Sequence, residues 1–122
     1  MGIKHFSELD AWKKGHTLVL LVYEYTKNFP DDERFGLVNQ MRRAAVSITS
    51  NIAEGFGRTT INDKVHFYTM AKTSLSEIEN QMLIAKDLDY VATNIYEQFK
   101  TLVDEEHRLL GGLMKSARSK TH

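Results

Sequence analysis

A chain of 122 residues with one proline, Pro30, is free to be helical almost everywhere. Its apolar residues use that freedom. Before Pro30, the residues Trp12, Val19, Val22, Tyr23, Thr26 and Phe29 recur at three and four, the spacing of one helix face. No stretch alternates apolar and polar residues long enough to predict a strand, and no internal repeat is visible. Four helices are expected, over about 7–29, 35–55, 60–89 and 94–118.

Punctuation supports those limits. Ser7 is the expected N-cap of the first helix, which ends at Pro30 and the polar turn Asp31-Asp32-Glu33-Arg34. Leu37, Met41, Ala44, Ala45, Ile48 and Ile52 give the second core stripe, and Gly55 and Gly57 are expected left-handed caps. Thr59 or Thr60 opens the third helix, lined by Phe67, Ala71, Ser74, Leu75, Ile78, Met82, Ala85 and Leu88. Thr93 or Asn94 opens the fourth, with Asn94 and Glu97 spaced as a capping box. Its stripe is Ile95, Phe99, Leu102, Leu109, Leu113 and Ala117. Short connections make neighbours antiparallel, so the expected class is all-α, one up-down-up-down antiparallel four-helix bundle over residues 1–122.

Leu18-Val19-Leu20-Leu21-Val22 strains that picture. Five consecutive residues sweep the full circumference of a helix, and a chain this small cannot hide every side. Leu18, Leu20 and Leu21 therefore read as a homo-oligomer interface, which Leu20→Glu or Leu21→Glu should disrupt before the bundle unfolds.

The segment MRRAAVSITSNIAEGFGR, Met41 to Arg58, raises a second question. On a wheel, Arg43, Ser47, Ser50, Asn51 and Glu54 fall within about 80°, a polar stripe beside the core positions. Its small residues let neighbouring helices approach closely. Folding back around Phe56–Thr60 brings Arg43 level with Ser74 to Glu77, which makes Glu77 the expected charge partner. Arg43, Ser47, Asn51, Glu54 and Glu77 read as satisfied structural polar groups, with a ligand or nucleic-acid surface as the sharper alternative and oligomer contacts as a third.

Several function classes find little support. Sixteen basic and sixteen acidic residues cancel, whereas a dedicated nucleic-acid binder usually carries a basic excess. Still, Arg108, Lys115, Arg118 and Lys120 form a tail with no acidic residue. There is no cysteine, hence no disulfide or thiolate metal site. The longest apolar run is far short of a membrane span, and no signal pattern opens the chain; a cytoplasmic protein is expected. Gly55-Phe56-Gly57 closes a helix instead of opening one, so it is no phosphate loop. Asp63-x-x-His66 and Asp104-x-x-His107 resemble half-sites of di-iron bundles. In antiparallel helices they lie some 15 residues, or roughly 22 Å, out of register. No serine has a recognisable base and orienting acid. No catalytic residue, metal site or cofactor is expected.

The residues also carry a resemblance. Phe6-x-x-Leu9-x-x-Trp12-Lys13-Lys14, then Phe29-Pro30-x-x-Glu33-x-Phe35-Gly36-Leu37-x-x-Gln40 running into Met41–Ile48, then Asn51-Ile52-Ala53-Glu54-Gly55 and Arg58 form its core. Phe67-Tyr68-x-x-Ala71-x-x-Ser74-Leu75-x-Glu77-x-Glu79 and Gln81 continue it. Together they resemble the 23S rRNA-intervening-sequence protein family of four-helix bundles. The resemblance implies a homopentamer without catalytic residues, and a link to RNA or to retroelement accessory proteins that work with a reverse transcriptase. Those accessory relatives are strongly basic; this chain is neutral. The expected role is a non-enzymatic, homo-oligomeric scaffold binding RNA weakly if at all, with Lys13, Lys14, Arg58, Lys115, Arg118 and Lys120 as candidate phosphate contacts. The alternative is a protein-interaction module with no nucleic-acid role.

Overall fold

The computed structural model describes residues 2–119, and Lys120 lies outside them. The helices are α1 (Asp10–Thr26), α2 (Leu37–Gly57), α3 (Ile61–Asp87) and α4 (Thr93–Ser119). Short 3-10 turns at Phe6–Glu8 and Asp31–Glu33 precede the first two, and no strand occurs among the described residues. Close backbone approaches join α1 to α2, α2 to α3, α3 to α4 and α4 back to α1, and among the described residues the backbones do not approach across the diagonals. The chain is the expected up-down-up-down four-helix bundle.

The helix ends differ from expectation in instructive ways. His5, not Ser7, caps the N-terminal turn. His5 Nδ1 accepts the Ser7 amide at 3.2 Å, and the Glu8 carboxylate accepts the His5 amide at 2.8 Å. That closed box completes its own short turn, so the extended Leu9 intervenes and α1 begins only at Asp10. Glu33 then serves two connections. Its Oε1 accepts the Leu37 amide at 3.2 Å, and its Oε2 accepts the Tyr90 hydroxyl at 2.9 Å. The start of α2 is thereby tied to the α3–α4 connection.

Gly55 and Gly57 are not left-handed caps: both lie within α2, and Gly2 is the only described glycine with positive φ. The orphan carbonyls are taken instead by Lys64 of α3, whose Nζ donates to Gly55 O at 3.2 Å and Phe56 O at 2.8 Å. Thr60 is the cap of α3, accepting the Asp63 amide at 3.1 Å. The left-handed residue that ends a helix is Asp89, at φ 64°, after α3. Around it, the Tyr90 amide bonds Ala85 O at 2.8 Å. Asn94 and Glu97 form no capping box, because helical bonding already begins with Tyr96 N–H to Ala92 O at 3.1 Å.

The core draws its large buried side chains from all four helices: Leu18 and Val22; Met41, Ile48 and Ile52; Leu75, Ile78 and Met82; Phe99, Val103 and Leu110. Two stripes are rotated from expectation. On α1 the buried line is Ala11, Gly15, Leu18, Val22 and Thr26, which leaves Trp12 and Val19 half-buried and Tyr23 exposed. On α4 it is Phe99, Val103, Glu106, Leu110, Met114 and Ala117. A glutamate sits in the middle of that stripe. On α3, Tyr68 is buried where Phe67 was expected, and Leu88 is exposed.

Gly111 and Gly112 lie within α4, and a Cβ at either would meet nothing within 4 Å. Glycine in an exposed helix interior costs conformational entropy that alanine does not. Gly111→Ala and Gly112→Ala should each stabilise the fold by about 0.5–1 kcal/mol, measured as a higher urea midpoint at unchanged slope.

Candidate interaction surfaces and a buried carboxyl

The polar stripe of α2 is built against α3 by hydroxyls. Ser74 Oγ and Ser47 Oγ are hydrogen-bonded at 2.9 Å, and Asn51 Nδ2 donates to Ser47 O at 2.9 Å and to Ser47 Oγ at 3.0 Å. Further along, Glu54 pairs with Arg58 at 2.9 Å. Hydroxyl and amide groups thus line this seam, and the expected charge pair across it is not formed. Arg43 and Glu77 are both exposed and form no ion pair; they border one open groove with Gln40, Ser47 and Gln81. The serine contact and Ala44 occupy the seam itself, which pushes both long side chains to its rim in water. Arg43→Ala and Glu77→Ala should then each change stability by less than about 0.5 kcal/mol and add without coupling. A denaturation cycle measures this directly.

The candidate phosphate contacts differ in their surroundings. Lys14 Nζ lies 3.2 Å from Glu105 Oε1 across α1 and α4. Arg58 is held by Glu54 and stacks over the Phe67 ring at 4.7 Å. Lys13 and Lys115 are exposed, and so is Arg118 in the last turn of α4. The antiparallel order brings the start of α1, the α2–α3 connection and the end of α4 to one end of the bundle. Lys13, Arg58, Lys115 and Arg118 are therefore collected there, interspersed with Asp10, Glu54 and Asp63.

The apolar girdle of α1 is resolved residue by residue. Leu18 is fully buried in the bundle core, so it is not part of an outer surface. Leu21 is half-buried, and Leu20 is 58% exposed. Arg42 fixes what surrounds Leu20. Its Nε donates to Thr26 Oγ1 at 3.0 Å, and its guanidinium lies over the Tyr23 ring at 4.5 Å. Leu20 is one turn before Tyr23 and Val46 one turn after Arg42. Leu20, Tyr23 and Val46, all exposed, thus share the outer face of the α1–α2 pair. Phe35, in the connection between these helices, is exposed as well.

Sequence reasoning missed Glu106. It is completely buried, and neither carboxyl oxygen has a hydrogen-bond partner. Gly15 makes room for it: a Cβ there would stand 2.8 Å from Glu106 Oε2, 3.1 Å from Thr49 Cγ2 and 3.4 Å from Ile48 Cγ2. Burial pushes the carboxyl up to about 8, against the smaller opposing pull of Lys14. Glu106 is therefore mostly protonated at neutral pH. The readable signal was the glycine at Gly15 in the α1 stripe, together with an α4 stripe that becomes continuous once a glutamate is admitted to it.

No cluster of three or more histidine, aspartate or glutamate side chains suited to a metal occurs among the described residues. Of the two acid-x-x-His pairs, Asp104 binds Lys100 at 3.3 Å, and His107 Nε2 lies 4.0 Å from Glu79 Oε1. Burial lowers the His107 pKa. No helix among the described residues is long and apolar enough to cross a membrane.

The segment between residues 7 and 112 matches the model of the 23S rRNA-intervening sequence protein family. The chain belongs to that family. A crystal structure of a protein of unknown function from the S23 ribosomal protein family of Bacteroides thetaiotaomicron superposes with a TM-score of 0.78. It is 20% identical, and the match covers 86% of this chain and 95% of that one. At that identity the likeness is one of fold. No functionally curated protein matches the chain. Within the 23S rRNA-intervening sequence protein match lie the small-residue seam, the α1–α2 outer face and Glu106; Lys115, Arg118 and Lys120 fall beyond it.

Proposed function

We propose that this protein is a non-enzymatic, homo-oligomeric helical scaffold that assembles through the outer face of α1 and α2. The observation that carries the reading is the exposed set Leu20, Tyr23 and Val46 around Arg42. Apolar side chains grouped on one face of a small domain gain by being covered, and a second copy presents a matching patch. A closed ring is the natural product, and five subunits is the number the family resemblance suggests. Light scattering after size exclusion tests it. Wild type should elute as a closed oligomer, and Leu20→Glu should shift it to smaller species while far-ultraviolet dichroism stays helical. Wild type at the mass of a single chain would end this reading.

In the RNA-linked or retroelement-linked form of this role, the bundle end bearing Lys13, Arg58, Lys115 and Arg118 meets phosphate. A rival is favoured by a specific observation: Lys14 and Arg58 are already paired with carboxylates, which supports a protein-interaction module without nucleic acid. Salt separates the two. Each phosphate contact steepens the fall of affinity with salt, so binding of RNA through two or three of these cations gives a slope of about −1.4 to −2.7. A flat or undetectable response favours the protein-interaction module.

A further inference from the structure

Helix α3 carries two stripes of side chains. One faces the core and contains Ala71, Leu75, Ile78, Met82 and Ala85. The other consists of Met70, Thr73, Glu77, Asn80 and Ile84, continued by the capping Leu88, and is exposed at every position. Its steps of three and four residues are those of a seam between two helices. At 100° per residue these side chains fall within about 80° of one another, an arc that one neighbouring helix can cover. Met70 and Ile84 are each 41% exposed and Leu88 is 50% exposed, so half of the row is apolar surface in water. An apolar row of this kind gains free energy when it is covered.

The row also fits itself. Met70 and Ile84 stand seven residues before and after Glu77, and Thr73 and Asn80 stand four before and three after it. Two α3 helices crossed antiparallel at Glu77 therefore bring Met70 of each copy opposite Ile84 of the other, with Thr73 beside Asn80. A foreign helix would demand no such symmetry. One element opposes the pairing: the two Glu77 carboxylates meet at the crossing, where like charges repel. Arg43 supplies the counter-charge. It is exposed, makes no ion pair among the described residues, and borders the same groove as Glu77. Glu77 is the one charged member of the row, and it too lacks an ion-pair partner among the described residues. Two Arg43 and two Glu77 side chains at the crossing sum to zero charge.

We propose that α3 pairs two copies of this chain antiparallel about Glu77, with Arg43 of each copy against Glu77 of the other. The pairing is isologous, so it closes at two chains and leaves no second row to extend. It uses none of Leu20, Tyr23 and Val46, so it does not rest on a ring built through the α1–α2 face. Within one chain Arg43 and Glu77 act independently, and any coupling between them arises between chains.

Leu20→Glu protein, in which the ring contact is removed, serves as the parent for the test. Sedimentation velocity should show it associating from one chain of 14.0 kDa to two as concentration rises. Arg43→Glu and Glu77→Arg should each weaken that association about tenfold or more, since either change sets four like charges at the crossing. The double reversal, Arg43→Glu with Glu77→Arg, restores opposite charges and should return to within about threefold of the parent. Both positions are exposed, so far-ultraviolet dichroism should stay helical in every variant. The chain has no cysteine, which makes an introduced one unique. A mixture of Met70→Cys and Ile84→Cys should be joined into dimers by a short bismaleimide. Either variant alone should not, because its two cysteines would lie roughly 21 Å apart along the pair. Lys72→Cys, exposed on another side of α3, gives the background. The proposal is overturned by a parent that does not associate, by a double reversal as weak as the single ones, or by linking in the mixture no greater than with Lys72→Cys.

Discussion

Glu106→Gln should be more stable than wild type in alkaline solution, by an amount that shrinks towards acid. The buried carboxyl titrates near 8 in the folded protein against 4.5 as its ordinary value. Its folded form binds the proton more tightly, so the stability it contributes is fully present below about 4.5 and is lost as pH rises through about 8. At about 1.4 kcal/mol per pH unit, that gap sets a ceiling of about 5 kcal/mol, and relaxation or water entry brings the realised value to a few. Lys14 is the one charge acting on it, and it is already committed to Glu105; Ile48 and Thr49 on α2 carry no charge. The glutamine amide does not titrate, so its curve should lack this step. Urea denaturation of both proteins at pH 5, 7 and 9 measures it. Parallel curves across that range would show that the carboxyl is hydrated or partnered in solution.

Gly55→Ala should be among the most damaging single-methyl additions to this chain. The new Cβ would stand 2.6 Å from Tyr68 Cε1, 2.8 Å from Tyr68 Cδ1 and 3.2 Å from Phe67 Cβ. An aromatic ring that is 97% enclosed has no room to retreat, since Tyr68 is 3% exposed. Either α2 and α3 part or the ring leaves its position. Overpacking of this kind costs about 1–3 kcal/mol, and it must also overcome the roughly 1 kcal/mol by which alanine favours a helix. A net loss of about 1 kcal/mol, reaching about 2 if the ring cannot shift, is expected, opposite in sign to the same change at Gly111. Because the cause is one ring, Tyr68→Leu should absorb part of the damage. The double variant is then less destabilised than the sum of the singles. A neutral Gly55→Ala would mean the seam is looser than its geometry.

Much of the fold was legible because helix period, the lone proline and the Thr60 cap all point the same way. What escaped the sequence did so for identifiable reasons. The α4 stripe reads as Ile95, Leu102, Leu109 and Leu113 only if glutamate is barred from the core. Admitting Glu106 rotates the face onto Val103, Leu110 and Met114. Composition prices a charged residue as exposed, whereas a protonated carboxyl opposite a glycine is small and neutral. The cap glycines were misread for a related reason. Gly55 is required by the approach of Tyr68 from another helix, a tertiary demand that looks locally like a turn. On α1 the five-residue apolar run showed that a second face is apolar, yet it could not say which leucine belongs to which. Leu18 goes inward because Gly15 and Val22 share its side, and Leu20 is left outside. Arg43 and Glu77 were placed at the right level but on the wrong side of the serine contact.

The seam between α1 and α4 is the least extensive of the four that close the bundle. It is also where Glu106 faces Gly15 and where Lys14 reaches Glu105. The weakest join and the titrating group therefore coincide. Partial opening needs less free energy at such a place than global unfolding does, so exchange of amide hydrogens should reveal a sub-global step. Peptides from α1 should become deuterated sooner as alkali is added, while those from the serine-lined junction of α2 and α3 keep their protection until the whole chain unfolds.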